Sequence, residues 1–288
     1  MDQLRDIKLI VTHFSPDLDA VGAVWLFKRF DESEFSGAEV VFVNPGDQIS
    51  DIELAKWGMT RKEVVHVDTG LGDFDHHTES AGKGVSATSL VFDYLKRKYK
   101  DLEKNEALVR MVDFMTKVDH FEEVDWPEPN NDRYAFFIEP VLKAIKQKQE
   151  IDDNKVIEFG MLALDGVYIE MERKVDAERE MGKGTEFETQ WGKGIGFETS
   201  NDAVMKLGLK SGYKVVVRKD PDLENVRIKA SPRKGIDLTG VYNRISKIDK
   251  KGSWYLHPEK AMLLNGSSKK PTQTPSPLSL KEIIEVLK

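Results

Sequence analysis

The chain has 288 residues, 40% of them hydrophobic and 32% charged, which is enough apolar content for one large or two ordinary buried cores. A formal net charge of −7 argues against a protein that grips a long stretch of duplex, and favours a small phosphorylated substrate or a short single-stranded nucleic acid. Cysteine is absent, so disulfides, thiolate zinc sites and cysteine nucleophiles are excluded.

No apolar run approaches the roughly 18–20 residues of a membrane span. The opening residues Met-Asp-Gln-Leu-Arg-Asp lack the basic-then-apolar pattern of a secretory signal, so a cytoplasmic protein is expected. The run Ile7 to Val11 reads as a first strand, and residues 20–30 as a helix with Val21, Val24, Trp25 and Phe27 at helical spacing. At that spacing Trp25 and Phe27 are core residues rather than a platform for a base. Between strand and helix lies His13-Phe14-Ser15-Pro16-Asp17-Leu18-Asp19, a polar turn with one imidazole and two carboxylates. Such a turn at the carboxyl end of a strand is where α/β sheets bind ligands, although Asp17 or Asp19 capping the helix would use the same residues.

A second strand at Glu39 to Val43 ends in Asn44-Pro45-Gly46, and a short helix is expected at 51–58. The third strand, Val64 to Asp68, is followed closely by Asp73-Phe74-Asp75-His76-His77. Ser86 to Tyr99 is an amphipathic helix with a hydroxyl at its start; Lys96, Arg97, Lys98 and Lys100 at its end suit the negative pole of the helix dipole. Strand and helix alternating at these intervals predict an α/β fold with a doubly wound parallel sheet in an N-terminal domain, residues 1–125.

A helical connector follows at 126–183, with helices expected at Tyr134 to Lys148 and Ile157 to Arg179 after one at Ala107 to Asp119. Residues 184–265 are expected to form a smaller α/β domain for substrate, with strands at 185–189, 195–199, Tyr213 to Arg218, Asn225 to Ala230 and Trp254 to His257. Helices are expected at 201–209 and 238–246. The glycines from Gly182 to Gly196 lack the Gly-Lys-Ser/Thr ending of a phosphate loop and are expected in a hinge or tight turns. Residues 266–288 read as a flexible or polyproline linker and a short docking helix from Leu278.

Four of the six histidines, His13, His66, His76 and His77, fall in the first 77 residues, beside Asp17, Asp19, Asp68 and Asp75. Carboxyl ends of neighbouring strands converge on one sheet edge, so these donors can share a pocket. Clustered carboxylates repel one another, and divalent cations would relieve that conflict. Mixed imidazole and carboxylate donors suit manganese, iron or zinc, and an oxygen-rich site favours manganese or magnesium. His66 sits inside its strand and reads as structural. His120 is open between a supporting position and solvent.

His13-x-x-x-Asp17-x-Asp19, a strand ending in Asp68, and Asp75-His76-His77 followed by Gly84-Val85-Ser86-Ala87-Thr88 together resemble the DHH phosphoesterase superfamily. That group includes RecJ-type exonucleases, nano-RNases, cyclic-dinucleotide phosphodiesterases and family II inorganic pyrophosphatases. The resemblance covers residues 7–125. Its fourth motif is an aspartate best matched by Asp119, with Asp113 and Asp125 as neighbours. The resemblance implies one ion held by His13, Asp17 and Asp68. It implies a second held by Asp19, Asp68, His76 and Asp119, with Asp68 bridging. Two Mn2+ ions are expected, with Mg2+ or Co2+ as alternatives, and a water between them would attack phosphorus. His77 would bond the phosphoryl oxygens and act with Asp68 as a catalytic residue, and Asp75 would orient a histidine from behind.

The family's Gly-Gly-Gly-His segment is absent. Gly252-Ser253-Trp254-Tyr255-Leu256-His257 stands in its place, so His257 is the substitute, and Arg218, Arg227 or Arg233 are the expected phosphate contacts. The function implied is hydrolysis of a small phosphodiester such as a short oligonucleotide or dinucleotide. The alternatives are an inorganic pyrophosphatase and a non-catalytic, metal-dependent nucleotide-binding protein. A homodimer is compatible with this reading.

Overall fold

The computed structural model describes residues 7–78, 82, 84–148, 150–232, 235–266 and 272–288. Strand β1, Leu9–His13, is buried along almost its whole length because it lies in the middle of a sheet. It pairs in parallel with β2, Glu39–Val43, on one side and with β3, Val64–His66, on the other. Alternate side chains serve opposite faces. Leu9, Val11 and Val64 pack with Ile49 and Leu54, whereas Ile10 and Val65 join the larger core on the opposite face. Helices therefore cover both faces, and the strands read as near-continuous apolar runs.

Helix α1, Leu18–Phe30, leaves the end of β1 and carries the largest buried side chains. Trp25 and Phe27 are fully buried, and Phe27 stacks on Phe35 at 4.1 Å. Phe35 belongs to α2, Glu32–Phe35, and Leu54 to α3, Asp51–Lys56, which opens with a capping box between Ser50 and Glu53. Helices α4, Ala87–Lys98, and α5, Glu106–Asp119, pack on α1. At Gly22 a Cβ would stand 2.5 Å from Thr88 Oγ1 and 2.9 Å from Met115 Sδ, so only glycine admits both helices there.

The expected helix at 134–148 is split. A 3-10 turn covers Asp132–Phe136, and α6 runs only Ile138–Ile145. Pro140 explains the break: its ring is tolerated in the first turn of a helix but clashes with the carbonyl four residues earlier in a longer one. Helix α7, Asp153–Met181, begins one turn earlier than its apolar pattern suggested. Leu142, Val156, Ile157, Met161 and Leu164 from this helical stretch belong to the same core as α1. The chain divides into two compact units between Met171 and Glu172, inside α7.

The second unit holds a six-stranded mixed sheet in the order β4-β5-β6-β7-β9-β8. Its strands are β4, Thr185–Thr189; β5, Gly192–Glu198; β6, Val215–Lys219; β7, Val226–Ala230; β8, Trp254–Leu256; and β9, Met262–Asn265. Strand β9, with only four residues, has no counterpart among the expected elements, yet it joins β7 to β8. Helices α8, Ala203–Lys210, α9, Thr239–Ile248, and α10, Leu280–Leu287, complete the unit.

Two expectations for this unit hold only in part. Gly182 lies in a turn and Gly192, with φ +110°, follows the β4–β5 turn as expected. Gly194 and Gly196 instead lie within β5, where a Cβ would meet the Phe187 ring at 2.6 Å and the α10 side chains of Ile284 and Leu280 at 3.0 Å, so they leave room for neighbours. The described part of the tail is also not a free linker. Ser276 is fully buried, its N–H donating to Asn265 Oδ1 at 2.6 Å and its hydroxyl to Asp249 Oδ2 at 2.6 Å. The tail leads into α10, which buries Leu280, Ile283, Ile284 and Leu287. No helix among the described residues is long and apolar enough to cross a membrane.

Candidate metal centre

His13 ends β1 and Asp17 caps α1, so a strand and a helix deliver them to one place. Asp17 Oδ1 accepts the Asp19 and Ala20 amides, each at 3.1 Å, so capping and the acidic cluster coexist. Asp19 is buried, and its two oxygens accept N–H groups from a different helix: Ala87 at 2.6 Å and Thr88 at 2.9 Å, at the start of α4. Each oxygen keeps a second lone pair. Asp68 follows β3 with φ +55°, a left-handed conformation aspartate tolerates better than most residues. Its N–H donates to Phe74 O at 3.0 Å, which folds the 68–75 loop back and brings His76 and His77 to the same edge.

Asp68 faces two sides at once. Its Oδ2 lies 3.2 Å from His13 Nε2, and its Oδ1 lies 3.4 Å from His76 Nε2 and 3.7 Å from His77 Nδ1. His76 Nε2 is also 3.5 Å from Asp119 Oδ2 and 3.7 Å from Asp19 Oδ2. Asp119 ends α5, which Ser86 ties to α4 through its hydroxyl contact with Thr116 at 3.0 Å. His120 Nε2 donates to Val85 O at 3.0 Å, so it steadies the α5 end from behind. Of the neighbouring alternatives, Asp113 is exposed and paired with Lys117, and Asp125 is exposed.

Three groups of donors lie within coordinating distance of one another: His13, Asp17 and Asp68; Asp68, His76 and His77; and His76, Asp119 and His120. Their fit to a cation rests on atoms that nothing else satisfies. Asp68 Oδ1, His76 Nε2 and Asp119 Oδ2 are buried with no hydrogen-bond partner in good geometry. Native interiors seldom tolerate such atoms without a hidden ion or water. A cation bonded at about 2.0–2.2 Å holds its donors roughly 3–3.5 Å apart, close to the spacing seen around His76. His13 adds a second sign: its Nδ1 donates to Phe14 O at 2.9 Å, which in the neutral ring turns the Nε2 lone pair inward, as in metal-ligating histidines.

The charges show the same conflict. Burial, reinforced by the charge of Asp68, pushes Asp17 up to about 6. Burial, with Asp68 and Asp119 nearby, pushes Asp19 to about 7, and burial also raises Asp119. Burial opposes the Asp68 charge as well, but the hydrogen bond with His13 and the close imidazole of His76 hold that carboxyl well below the usual range. The nearby Asp68 raises His76 to about 9. His13 also reaches about 9, where burial alone would lower it and Asp68 outweighs burial. Protons are thus retained on carboxylates and imidazoles to offset clustered negative charge, and a divalent cation would take over that task.

Asp75 is buried and stands behind the pair of histidines. Its Oδ1 accepts His77 Nδ1 at 2.9 Å and the His77 amide at 3.0 Å, and its Oδ2 accepts the Leu71 amide at 2.7 Å. His77 is the exposed member of the cluster. His66 lies apart in function: its Nε2 accepts the Ile49 amide at 3.1 Å, and burial with Arg61 nearby lowers its pKa. It is a neutral structural histidine.

In the second unit, the expected phosphate contact Arg218 is anchored through one of its nitrogens. It is buried on β6, with Nη1 donating to Thr199 O, Ser200 O and Asp220 Oδ2 at 3.1, 3.2 and 2.9 Å. Its Nε is buried without a hydrogen-bond partner, 3.4 Å from Asp202 Oδ1. Arg227 pairs with Asp202. His257 lies in the turn from β8 to β9, its Nδ1 accepting the Glu259 amide at 3.3 Å. Arg233 lies outside the described residues.

Two acidic side chains that the sequence did not single out touch the His13–Asp19 loop. Glu139 Oε2 accepts the Leu18 amide at 2.8 Å, and Asp153 Oδ1 accepts the Ser15 amide at 3.2 Å. Single carboxylates in amphipathic helices carry no motif, so no sequence signal marks them.

No protein-family model matches the sequence, and no curated protein does. Among solved structures, one match is described as the DHH domain of a member of a family of ribosomal proteins. It has a TM-score of 0.33 and 11% identity, covering 98% of this chain and 86% of that one. Another is an exopolyphosphatase-related protein from Bacteroides fragilis, with a TM-score of 0.25 and 12% identity, covering 98% and 90%. Similarity at this level carries no argument about function, which rests on the geometry of the site.

Proposed function

We propose that the chain is a metal-dependent phosphoesterase of the DHH type that hydrolyses a small phosphodiester, with Mn2+ as its cation and Mg2+ or Co2+ as substitutes. The observation that carries this reading is the split loyalty of Asp68, one oxygen toward His13 and the other toward His76. A carboxylate so placed suits a bridge between two cations, with His13 and Asp17 on one side and Asp19, His76 and Asp119 on the other. Divalent cations held there supply positive charge for the phosphoryl oxygens and lower the pKa of water near neutrality.

The remaining steps belong to side chains of this protein. Asp75 fixes the His77 ring through Nδ1, which leaves Nε2 to meet a phosphoryl oxygen. Asp19, braced by the α4 amides, keeps its spare lone pairs on the cluster. Residues 184–265 are proposed as a substrate-binding unit in their own right, with Arg218, Arg227, Arg233 and His257 as the groups offered.

The test is to strip the protein of metal, restore Mn2+, and follow mononucleotide release from a dinucleotide beside phosphate release from pyrophosphate. The expected result is Mn2+-dependent dinucleotide cleavage, reduced about a hundredfold or more in Asp68→Ala. Equal rates in the two proteins would overturn the assigned site. A strong preference for pyrophosphate would move the protein to the pyrophosphatase reading, and tight nucleotide binding without turnover to the non-catalytic one.

A further inference from the structure

The loop from His13 to Asp19 has a strained backbone. Ser15 has φ +57°, in the left-handed region that a residue with a Cβ seldom occupies unless its surroundings hold it there. Pro16 follows and is buried. Asp17 satisfies the amides of Asp19 and Ala20 but leaves the Leu18 amide, the first of α1, without a partner from the loop.

Both loose points are held from far along the chain. Asp153, the first residue of α7, accepts the Ser15 amide across 138 positions, and Glu139 in α6 accepts the Leu18 amide across 121. Each carboxylate has its own lysine. Lys143 lies 2.5 Å from Glu139 one turn on, and Lys146 pairs with Asp153. Asp153 is 8% exposed, and the Glu139 side chain 14%. Further along α7, Gly160 stands where a Cβ would lie 2.6 Å from Val21 Cγ1, so the backbone of α7 rests directly on α1.

We propose that Glu139 and Asp153 are positioning residues of the cation site, a two-point clamp that fixes the strained His13–Asp19 loop so that three donors converge before any ion arrives. The proposal rests on the metal-site reading above. The clamp needs an acceptor oxygen at each point, since each side chain accepts a hydrogen bond from a loop amide. As carboxylates the two are paired with Lys143 and Lys146, which offsets the repulsion their charges would otherwise add at Asp17.

The test measures Mn2+ binding by titration calorimetry on the metal-stripped full chain, together with urea unfolding of the same metal-free proteins. Glu139→Ala and Asp153→Ala should each weaken Mn2+ binding by about tenfold to a hundredfold, the usual effect of removing a group that orients a ligand. Glu139→Gln and Asp153→Asn, whose amide oxygens still accept, should recover most of the affinity. Glycine adopts the Ser15 conformation without strain. Ser15→Gly should therefore restore binding to Asp153→Ala, and do so even if that single variant folds poorly.

If the alanine variants fold and bind Mn2+ like the wild type, with only a lower urea midpoint, the residues are merely structural and the clamp is overturned. Failure of Ser15→Gly to recover any affinity overturns it as well. A wild-type protein that binds no Mn2+ overturns the metal-site reading itself, a result distinct from both.

Discussion

Thr88 is joined to Asp19 twice: its amide donates to the Asp19 carboxylate at 2.9 Å, and its hydroxyl donates to the Asp19 carbonyl at 2.9 Å. Both residues are buried, so the first turn of α4 is locked to the first turn of α1 at the point where the acidic cluster begins. Thr88→Val keeps the shape of the side chain but removes the donor. The expected cost is about 1–2 kcal/mol, with the carbonyl left short of a partner. Urea unfolding should show a lower midpoint with an unchanged slope.

Close approach at the same junction separates two glycines that look alike in sequence. Gly22→Ala would press a methyl into Thr88 and Met115. The expected loss is about 1–3 kcal/mol, since overpacking outweighs the gain in helix propensity. Gly166, inside α7, has nothing within 4 Å of an added Cβ. Gly166→Ala should stabilise by roughly 0.5–1 kcal/mol. Thermal unfolding of the two variants in parallel should move the midpoint in opposite directions.

His66 and His76 should respond to replacement in opposite ways. His66→Ala leaves the Ile49 amide without its acceptor. It should cost about 1–3 kcal/mol of stability while Mn2+ binding persists. His76→Ala removes a nitrogen with no other partner and should abolish most Mn2+ binding. The paired measurements are calorimetric Mn2+ titration and urea unfolding. Loss of Mn2+ affinity in a folded His66→Ala protein would contradict this separation.

In the second unit, pH dependence should follow Asp249. Burial disfavours its charge, but bonds from the Ser276 hydroxyl, the Gly252 amide, the Trp254 indole and the Lys251 amide outweigh burial and lower its pKa. A carboxylate depressed on folding contributes stability above its unfolded pKa of about 3.9 and loses it as pH falls through the lower, folded value. The stabilising effect of Asp249 should therefore be full at neutral pH and fade below about pH 4. Asp249→Asn should be less stable than wild type at pH 7, and the difference should shrink on acidification. The check is urea unfolding at a series of pH values.

Much of the first unit was legible from local pattern. Apolar runs ending in turn residues marked β1, β2 and β3, and hydroxyl caps marked the start of α4, because these signals depend only on near neighbours in the chain. Strand β9 was missed because four residues carry too little periodicity to stand out from a loop. The helix expected across Pro140 is too long because apolar spacing continues through a residue that has no amide to donate.

Residue types and spacing by themselves placed His13, Asp17, Asp19, Asp68 and His76 at or beyond the carboxyl ends of strands, and led to the expectation that their clustered charge would favour cations. Only the tertiary structure decided that Asp68 divides its oxygens between His13 and His76, that Asp19 closes α4, that Arg218 bonds Asp220 through Nη1, and that Glu139 and Asp153 reach back across more than a hundred residues to the first loop. The reason is physical. A hydrogen bond between distant residues leaves no periodic mark in the chain, since its partners are chosen by how helices pack and not by what precedes or follows them.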